Sequence, residues 1–147
     1  MYLYRAVDSQ GNTLEFLLSA TRDAEAAKRF FAKTLTAPHT TTPRVINVDK
    51  NAAYPKAFHE LQAEGAIADS CDLRPVKYLN NIVEQDHRFI KRRVKPGLGF
   101  FSFETAWHTL QGYEVMNRIR KGQVRGVGKA DITGQVTFIA SLFGVAA

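Results

Sequence analysis

Arg44-Val45-Ile46-Asn47-Val48-Asp49-Lys50-Asn51-Ala52-Ala53-Tyr54 is the stretch on which the reading of this chain turns. Its first half is a short apolar run with β-branched residues, which predicts a buried strand over 44–48 closed by Asp49. The spacing then becomes helical. Tyr54, Ala57, Phe58 and Leu61 fall on one face of a helix predicted over 53–64, with Gly65 as its stop. A strand that ends on a carboxylate before a helix is where α/β sheets present ligands, at the carboxyl ends of their strands. An aspartate in that place equally serves to cap the following helix, so the local pattern leaves both roles open.

Working outward, Tyr2–Val7 and Leu14–Leu18 read as two strands joined by the polar turn Asp8-Ser9-Gln10-Gly11-Asn12. A helix over 23–35 follows, with Thr21 as its cap and Ala26, Ala27, Phe30, Phe31 and Leu35 at helical spacing. A proline and threonine linker, 36–43, leads into the strand at 44–48. Beyond the second helix, 71–77 is a weak strand that Pro75 demotes to an edge or irregular position. Asn80 or Asn81 then caps a helix that runs towards Val94, until Pro96 and Gly97 end it. The last long helix is predicted over 104–121, with Ala106, Leu110, Tyr113 and Met116 as its apolar face. The tail 132–145 is apolar but reads as irregular, and there are no internal repeats.

The 147 residues fit one domain able to bury a substantial core. With 45% hydrophobic and 23% charged residues, the composition is that of a folded chain and excludes a disordered tail. No run of eighteen apolar residues occurs, and Arg5 interrupts the apolar start before a secretion signal forms, so a cytoplasmic location without membrane association is expected. One cysteine, Cys71, permits no internal disulfide and suits a reducing compartment. The net charge of +6 is unevenly placed: residues 74–95 carry +5, residues 118–129 carry another +5, and the remainder carries −4. Clustered cations beside carboxylates fit a polyanionic partner such as DNA, although a solvated basic surface has the same composition.

Glu84 opens the basic helix Asn81-Ile82-Val83-Glu84-Gln85-Asp86-His87-Arg88-Phe89-Ile90-Lys91-Arg92-Arg93. At about 100° per residue, Lys91 falls about 20° from Glu84, with Arg88 and His87 flanking them. Ile82, Val83, Phe89, Ile90 and Val94 occupy the other side. Acid and bases on one face suit a carboxylate that holds metal beside cations that hold phosphate; a salt-bridged surface stripe has the same pattern. Asp86 and Arg93 intrude on the apolar side. Asp8 reads as a turn residue, His39, His59, His87 and Cys71 lack zinc-ligand spacing, and Trp107 and Tyr113 read as core residues.

Asp49-Lys50-Asn51-Ala52-Ala53-Tyr54 and Lys77-Tyr78-Leu79-Asn80-Asn81-Ile82-Val83-Glu84-Gln85-Asp86-His87-Arg88-Phe89-Ile90-Lys91-Arg92-Arg93 resemble the DDE transposases of bacterial insertion sequences, in the sixth insertion-sequence family. The resemblance extends from Tyr2-Leu3-Tyr4-Arg5-Ala6-Val7-Asp8 through Gly97-Leu98-Gly99-Phe100 and Gly112-Tyr113-Glu114-Val115-Met116 to Arg120-Lys121-Gly122-Gln123. It implies an α/β fold of the ribonuclease H-like type, with residues 1–147 forming a partial catalytic domain cut before or within its first strand. That strand would carry the family's first catalytic aspartate, and the family's amino-terminal helix-turn-helix would also be absent. Asp49 and Glu84 are then the second and third catalytic acids and the metal ligands. Lys91, Arg88, Arg92 and Arg93 are the DNA-binding residues, and Mg2+ is the cofactor, as two ions in a complete site with Mn2+ as a substitute. The implied activity is metal-dependent 3′-end cleavage and strand transfer on transposon and target DNA. The alternative is an inactive remnant that binds DNA without sequence preference or pairs with an intact transposase; homo-oligomers fit either reading.

Overall fold

The computed structural model describes residues 1–76, 81–97 and 99–145, and these form two compact units, 1–99 and 100–147. In the first unit, β1 (Tyr2–Val7) and β2 (Thr13–Ser19) form an antiparallel hairpin, in which Leu3 pairs with Leu18 and Arg5 with Phe16. The turn forms as the sequence predicts. The Asp8 carboxylate accepts from the backbone N–H groups of Gln10 and Asn12, each at 2.8 Å. Burial alone would raise the Asp8 pKa, yet these bonds and one from the Asn12 side chain hold it below its usual value.

Helix α1 (Ala24–Leu35) begins one residue later than its predicted start, because Asp23 is itself the cap, accepting from Ala26 N–H at 2.8 Å. The cap role expected of Thr21 therefore falls to Asp23. Strand β3 (Val45–Val48) pairs in parallel with β4 (Asp72–Pro75), Val45 opposite Asp72 and Val48 opposite Pro75. Pro75 sits at the end of its strand, where its missing donor costs the ladder least. Between these strands runs α2 (Ala53–Ala63), and Gly65 beyond it has φ +74°, the left-handed conformation that ends a helix cheaply for glycine.

The two strand pairs share one core. Tyr4 from the hairpin, Val48 from the parallel pair, Ala26, Ala27, Phe30 and Phe31 from α1, and Ala57, Phe58 and Leu61 from α2 are buried together with Ile67 and Cys71. The rings interlock: Tyr4 and Phe30 lie 5.5 Å apart between centroids, Phe31 and Phe58 6.5 Å, and Phe31 and Tyr54 5.8 Å. Each buried phenylalanine of this kind contributes on the order of 1.5–3 kcal/mol by area. Helix α3 (Asn81–Val94) lies over β1 and buries Ile90, and a short 3-10 turn, Lys95–Gly97, ends it at the predicted proline and glycine. The capping role open to Asn80, and the start of the run at Lys77-Tyr78-Leu79, lie outside the described residues; Asn81 is the first helical residue.

The second unit holds α4 (Phe103–Arg120) and α5 (Ile132–Leu142). Ser102 caps α4 by accepting from Thr105 N–H at 3.1 Å. Its buried stripe begins as predicted with Ala106 and Leu110, then continues through Glu114, Asn117 and Ile119. Tyr113 and Trp107 are half-buried and Met116 is exposed, so the predicted apolar face turns aside after its second residue. At Gly122, φ is +71° and an added Cβ would fall 2.5 Å from the backbone nitrogen of Lys129, which requires glycine at that bend. The tail predicted as irregular is a helix. Asp131 caps α5, accepting from Gly134 N–H at 2.8 Å, and this start signal offsets the low helix propensity of its β-branched residues and glycine. Among the described residues, no helix is long and apolar enough to cross a membrane.

Candidate metal and nucleic-acid site

Asp49 follows the last residue of β3, at the carboxyl end of the parallel pair. Its Oδ1 accepts from Asn51 N–H at 2.9 Å, and Asn51 Oδ1 in turn accepts from Ala53 N–H at 2.9 Å. These two side-chain turns carry the chain from strand to helix. The capping work open to Asp49 therefore passes to Asn51, and the Asp49 Oδ2 is left pointing elsewhere. It meets Arg22, from the bend between β2 and α1, at 3.0 Å. The two side chains are 46% and 44% exposed, so solvent screens the pair and it contributes little to stability. The Tyr54 hydroxyl nearby is pushed well above its usual pKa, chiefly by burial and then by the Asp49 charge, and stays neutral.

Glu84 lies in the first turn of α3 and is exposed. Arg88, Lys91, Arg92 and Arg93 are exposed on the same helix, and the Arg93 guanidinium lies 4.5 Å from the centroid of the Phe89 ring. Arg93 is thus the charge that covers an apolar side chain, which explains its place on the apolar side. Val83, Phe89 and Val94 are half-buried, as the periodicity predicts, whereas Ile82 is 44% exposed. His87 differs from the expectation that it shares the exposed basic face. It is half-buried, and its pKa is pushed down to about 4 by burial first and then by the charges of Arg5 and Lys91, against the pull of Asp86. At neutral pH it carries no charge for phosphate.

Asp86 is the residue whose role the sequence reading left open. Arg5 Nη2 donates to its Oδ2 at 2.7 Å, with side chains 0% and 7% exposed, and Thr13 Oγ1 donates to the same oxygen at 3.5 Å. The signal was present: a carboxylate inside an otherwise apolar helix face needs a buried partner, and Arg5 is the basic residue of the first strand.

Asp49 and Glu84 both offer oxygen donors, the kind a hard divalent ion prefers. Among the described residues, no group of three or more histidine, cysteine, aspartate or glutamate side chains is placed to hold a metal ion. The chain supplies two candidate ligands from two elements, with the basic face of α3 beside the second.

Comparison with known proteins follows the same residues. A family model described as a DDE domain matches residues 1–123, a span that includes Asp49, Glu84 and the whole basic helix. A transposase for insertion sequence-like element IS431mec from Staphylococcus aureus strain N315 is 32% identical over 126 residues, which cover 86% of this chain and 54% of that protein. The transposase for insertion sequence element IS257 in transposon Tn4003, also from Staphylococcus aureus, matches with the same identity and coverage. An uncharacterized protein, pYV0051, of Yersinia pseudotuberculosis is 35% identical over 71 residues, 48% of this chain and 66% of that one. No solved structure matches the chain. The chain spans about half the length of the curated transposases it matches. With a family match over 1–123 and these relatives, the chain belongs to the DDE-domain family of insertion-sequence transposases.

Proposed function

We propose that this chain carries part of a transposase catalytic centre, in which Asp49 and Glu84 hold divalent metal and the basic face of α3 holds the DNA backbone. The observation that carries this reading is the family match across both acids, joined to their placement: Asp49 ends a strand of a parallel pair, and Glu84 stands exposed among Arg88 and Lys91. We further propose that the mixed α/β architecture is ribonuclease H-like, because the hairpin, helix, strand, helix and strand come in the order expected of that fold after its first strand, although the hairpin and the parallel pair are separate two-stranded sheets here.

Magnesium, when bound, supplies positive charge that stabilises both the attacking and the leaving oxygen of a phosphodiester displacement. Asp49 and Glu84 would hold and orient it, and Lys91, Arg88 and Arg92 neutralise phosphates and keep the strand in line, while Arg93, stacked over Phe89 on the other side of α3, adds only to the positive field. Arg22 is the counter-charge of Asp49 and would give way to a metal ion, since their pair is exposed and weak. The substrate class is DNA, contacted through its backbone, and the reaction is hydrolysis of a phosphodiester by water to free a 3′ hydroxyl, which then attacks a phosphodiester of a second duplex and displaces that strand's 3′ oxygen.

Manganese titrations followed by backbone NMR test this reading. Paramagnetic broadening should appear together around Asp49 and Glu84, disappear in Asp49→Ala and in Glu84→Ala, and strengthen in Arg22→Ala. Broadening at only one of the two acids would end the shared-site reading. Fluorescence anisotropy with two unrelated duplexes should show weak binding, indifferent to sequence and steeply salt-dependent, because phosphates supply the contacts. Equal affinity at low and high salt would remove the role given to the basic helix.

A further inference from the structure

We infer that the buried Arg5–Asp86 ion pair, with Thr13 beside it, is a positioning device that fixes the rotation of α3 about its axis and so keeps Glu84 and Lys91 turned away from the hairpin. Its consequence for metal rests on the proposed role of Glu84; the geometry does not. Asp86 stands about 200° round the helix from Glu84, at about 100° per residue, so whatever holds Asp86 inward holds Glu84 outward. One oxygen of Asp86 accepts from Arg5 on β1 at 2.7 Å and from Thr13 on β2 at 3.5 Å. A single carboxylate thereby ties the helix to both strands of the hairpin. Arg5 and Thr13 are themselves buried, at 7% and 1% exposure.

Apolar packing cannot set this rotation by itself. Ile90 is the one fully buried apolar side chain of α3, with Val83, Phe89 and Val94 half-buried, and apolar contact is non-directional. With so few apolar contacts, nothing directional in them fixes the rotation of the helix. An ion pair out of solvent does, because misaligning it leaves charge buried without compensation. The best attested use of such pairs is specifying register rather than adding stability. The hairpin turn offers a marker of that register: a Cβ added at Gly11 would lie 3.4 Å from Ile82 Cγ2, and Ile82 stands one helical turn before Asp86.

The test reads that marker. In the full chain with 13C-labelled isoleucine methyls, an NOE should connect the Ile82 Cγ2 methyl to the Gly11 α-protons. Two variants are compared: Asp86→Asn, which removes charge while keeping shape, and the double variant Arg5→Met/Asp86→Leu, which replaces the pair by apolar groups of similar size and should keep the fold. Both should keep the parent's circular dichroism and lose the Ile82–Gly11 NOE. Manganese affinity should fall about tenfold, the low end of the loss seen when a residue that orients metal ligands is removed. Glu84→Gln serves as the control. If it leaves manganese affinity at the parent value while the two variants lose the NOE, the metal reading fails and the positioning role stands. A full-strength NOE in the folded double variant overturns the proposal, and that variant decides the matter if Asp86→Asn fails to fold.

Discussion

Helices α3 and α5 make a pair in which burial runs against composition. α3 is strongly polar and carries six charged residues over 81–94, yet it buries Asp86 and Ile90 against the hairpin. α5 carries no charge and is largely apolar, yet none of its residues is fully buried; Ile132, Val136 and Leu142 are 66%, 56% and 57% exposed. Hydrophobic content supplies a driving force without direction, whereas a paired charge dictates one orientation. The polar helix is therefore the one with a defined inner face, and the apolar helix depends on its own cap and backbone ladder.

The largest effect that would break this contrast is removal of the buried carboxylate. Asp86→Ala should cost about 3–5 kcal/mol, because it leaves the Arg5 charge in place without its carboxylate. Urea denaturation followed by far-UV circular dichroism measures it. Ile132→Ser in α5 should shift the same transition by no more than about 0.5 kcal/mol, as for a surface substitution away from structural features. Equal losses at the two sites would show that α5 buries its apolar surface after all.

The next effect is set by pH. His87 is half-buried beside the ion pair with a pKa of about 4, against 6.5 for the free side chain. The folded chain holds the neutral imidazole, so between these values the unfolded state binds the extra proton and stability rises with pH. The contribution is fully present above pH 6.5 and is lost as pH falls towards 4. At about 1.4 kcal/mol per pKa unit its ceiling is about 3 kcal/mol, reduced by whatever water reaches the ring. Denaturation midpoints at pH 7 and pH 4.5 should differ less in His87→Gln than in the parent. An unchanged difference would show that carboxylates, not His87, carry the acid sensitivity.

How much of this could be read beforehand depends on whether a residue acts alone or through a partner. The strands 2–7 and 45–48, the core residues Phe30, Phe31, Phe58 and Leu61, and the stops at Gly65 and Pro96 follow from local periodicity and turn chemistry. Asp49 at a strand end and Glu84 on an exposed basic face were legible for the same reason. Arg22 facing Asp49 was not, and for Asp86 the sequence signals the need of a buried partner without fixing it as Arg5, because both pairs join residues distant in sequence and spacing within one element says nothing of the other. The apolar face of α4 ends before Met116, since Asn117 is buried with its Oδ1 accepting from Arg120 Nη2, a polar contact that periodicity ignores.

The caps sharpen the comparison at a smaller scale. Asp131→Ala removes the acceptor for Gly134 N–H and should cost α5 about 1 kcal/mol of local helix stability, the usual value of a cap. Because no residue of α5 is fully buried, that loss should appear as faster amide exchange across 132–142, with no change in the global unfolding transition. In α1, Asp23→Ala removes an equivalent bond to Ala26 N–H, but Ala26, Ala27, Phe30 and Phe31 are core residues, so the loss should register in global unfolding instead. Local fraying of α1 without a global shift would remove the distinction.

The smallest expected effect is Gly134→Ala, and its near absence is the informative result. Alanine in a helix is better than glycine by about 1 kcal/mol, so propensity alone predicts a more ordered α5. An added Cβ at Gly134 would, however, run into the Asp131 carboxylate that caps the helix, and swinging that side chain aside forfeits the cap, which costs about as much. The two terms should cancel, leaving exchange rates across 132–142 close to the parent's. In an Asp131→Ala background there is no cap to lose, and the same substitution should slow exchange by about fivefold, the equivalent of about 1 kcal/mol. A helix whose order responds only to its cap and its backbone propensity is one held by local terms. If Gly134→Ala instead speeds exchange strongly in both backgrounds, residue 134 meets something other than the Asp131 carboxylate, and α5 has a packed face that its exposure does not reveal.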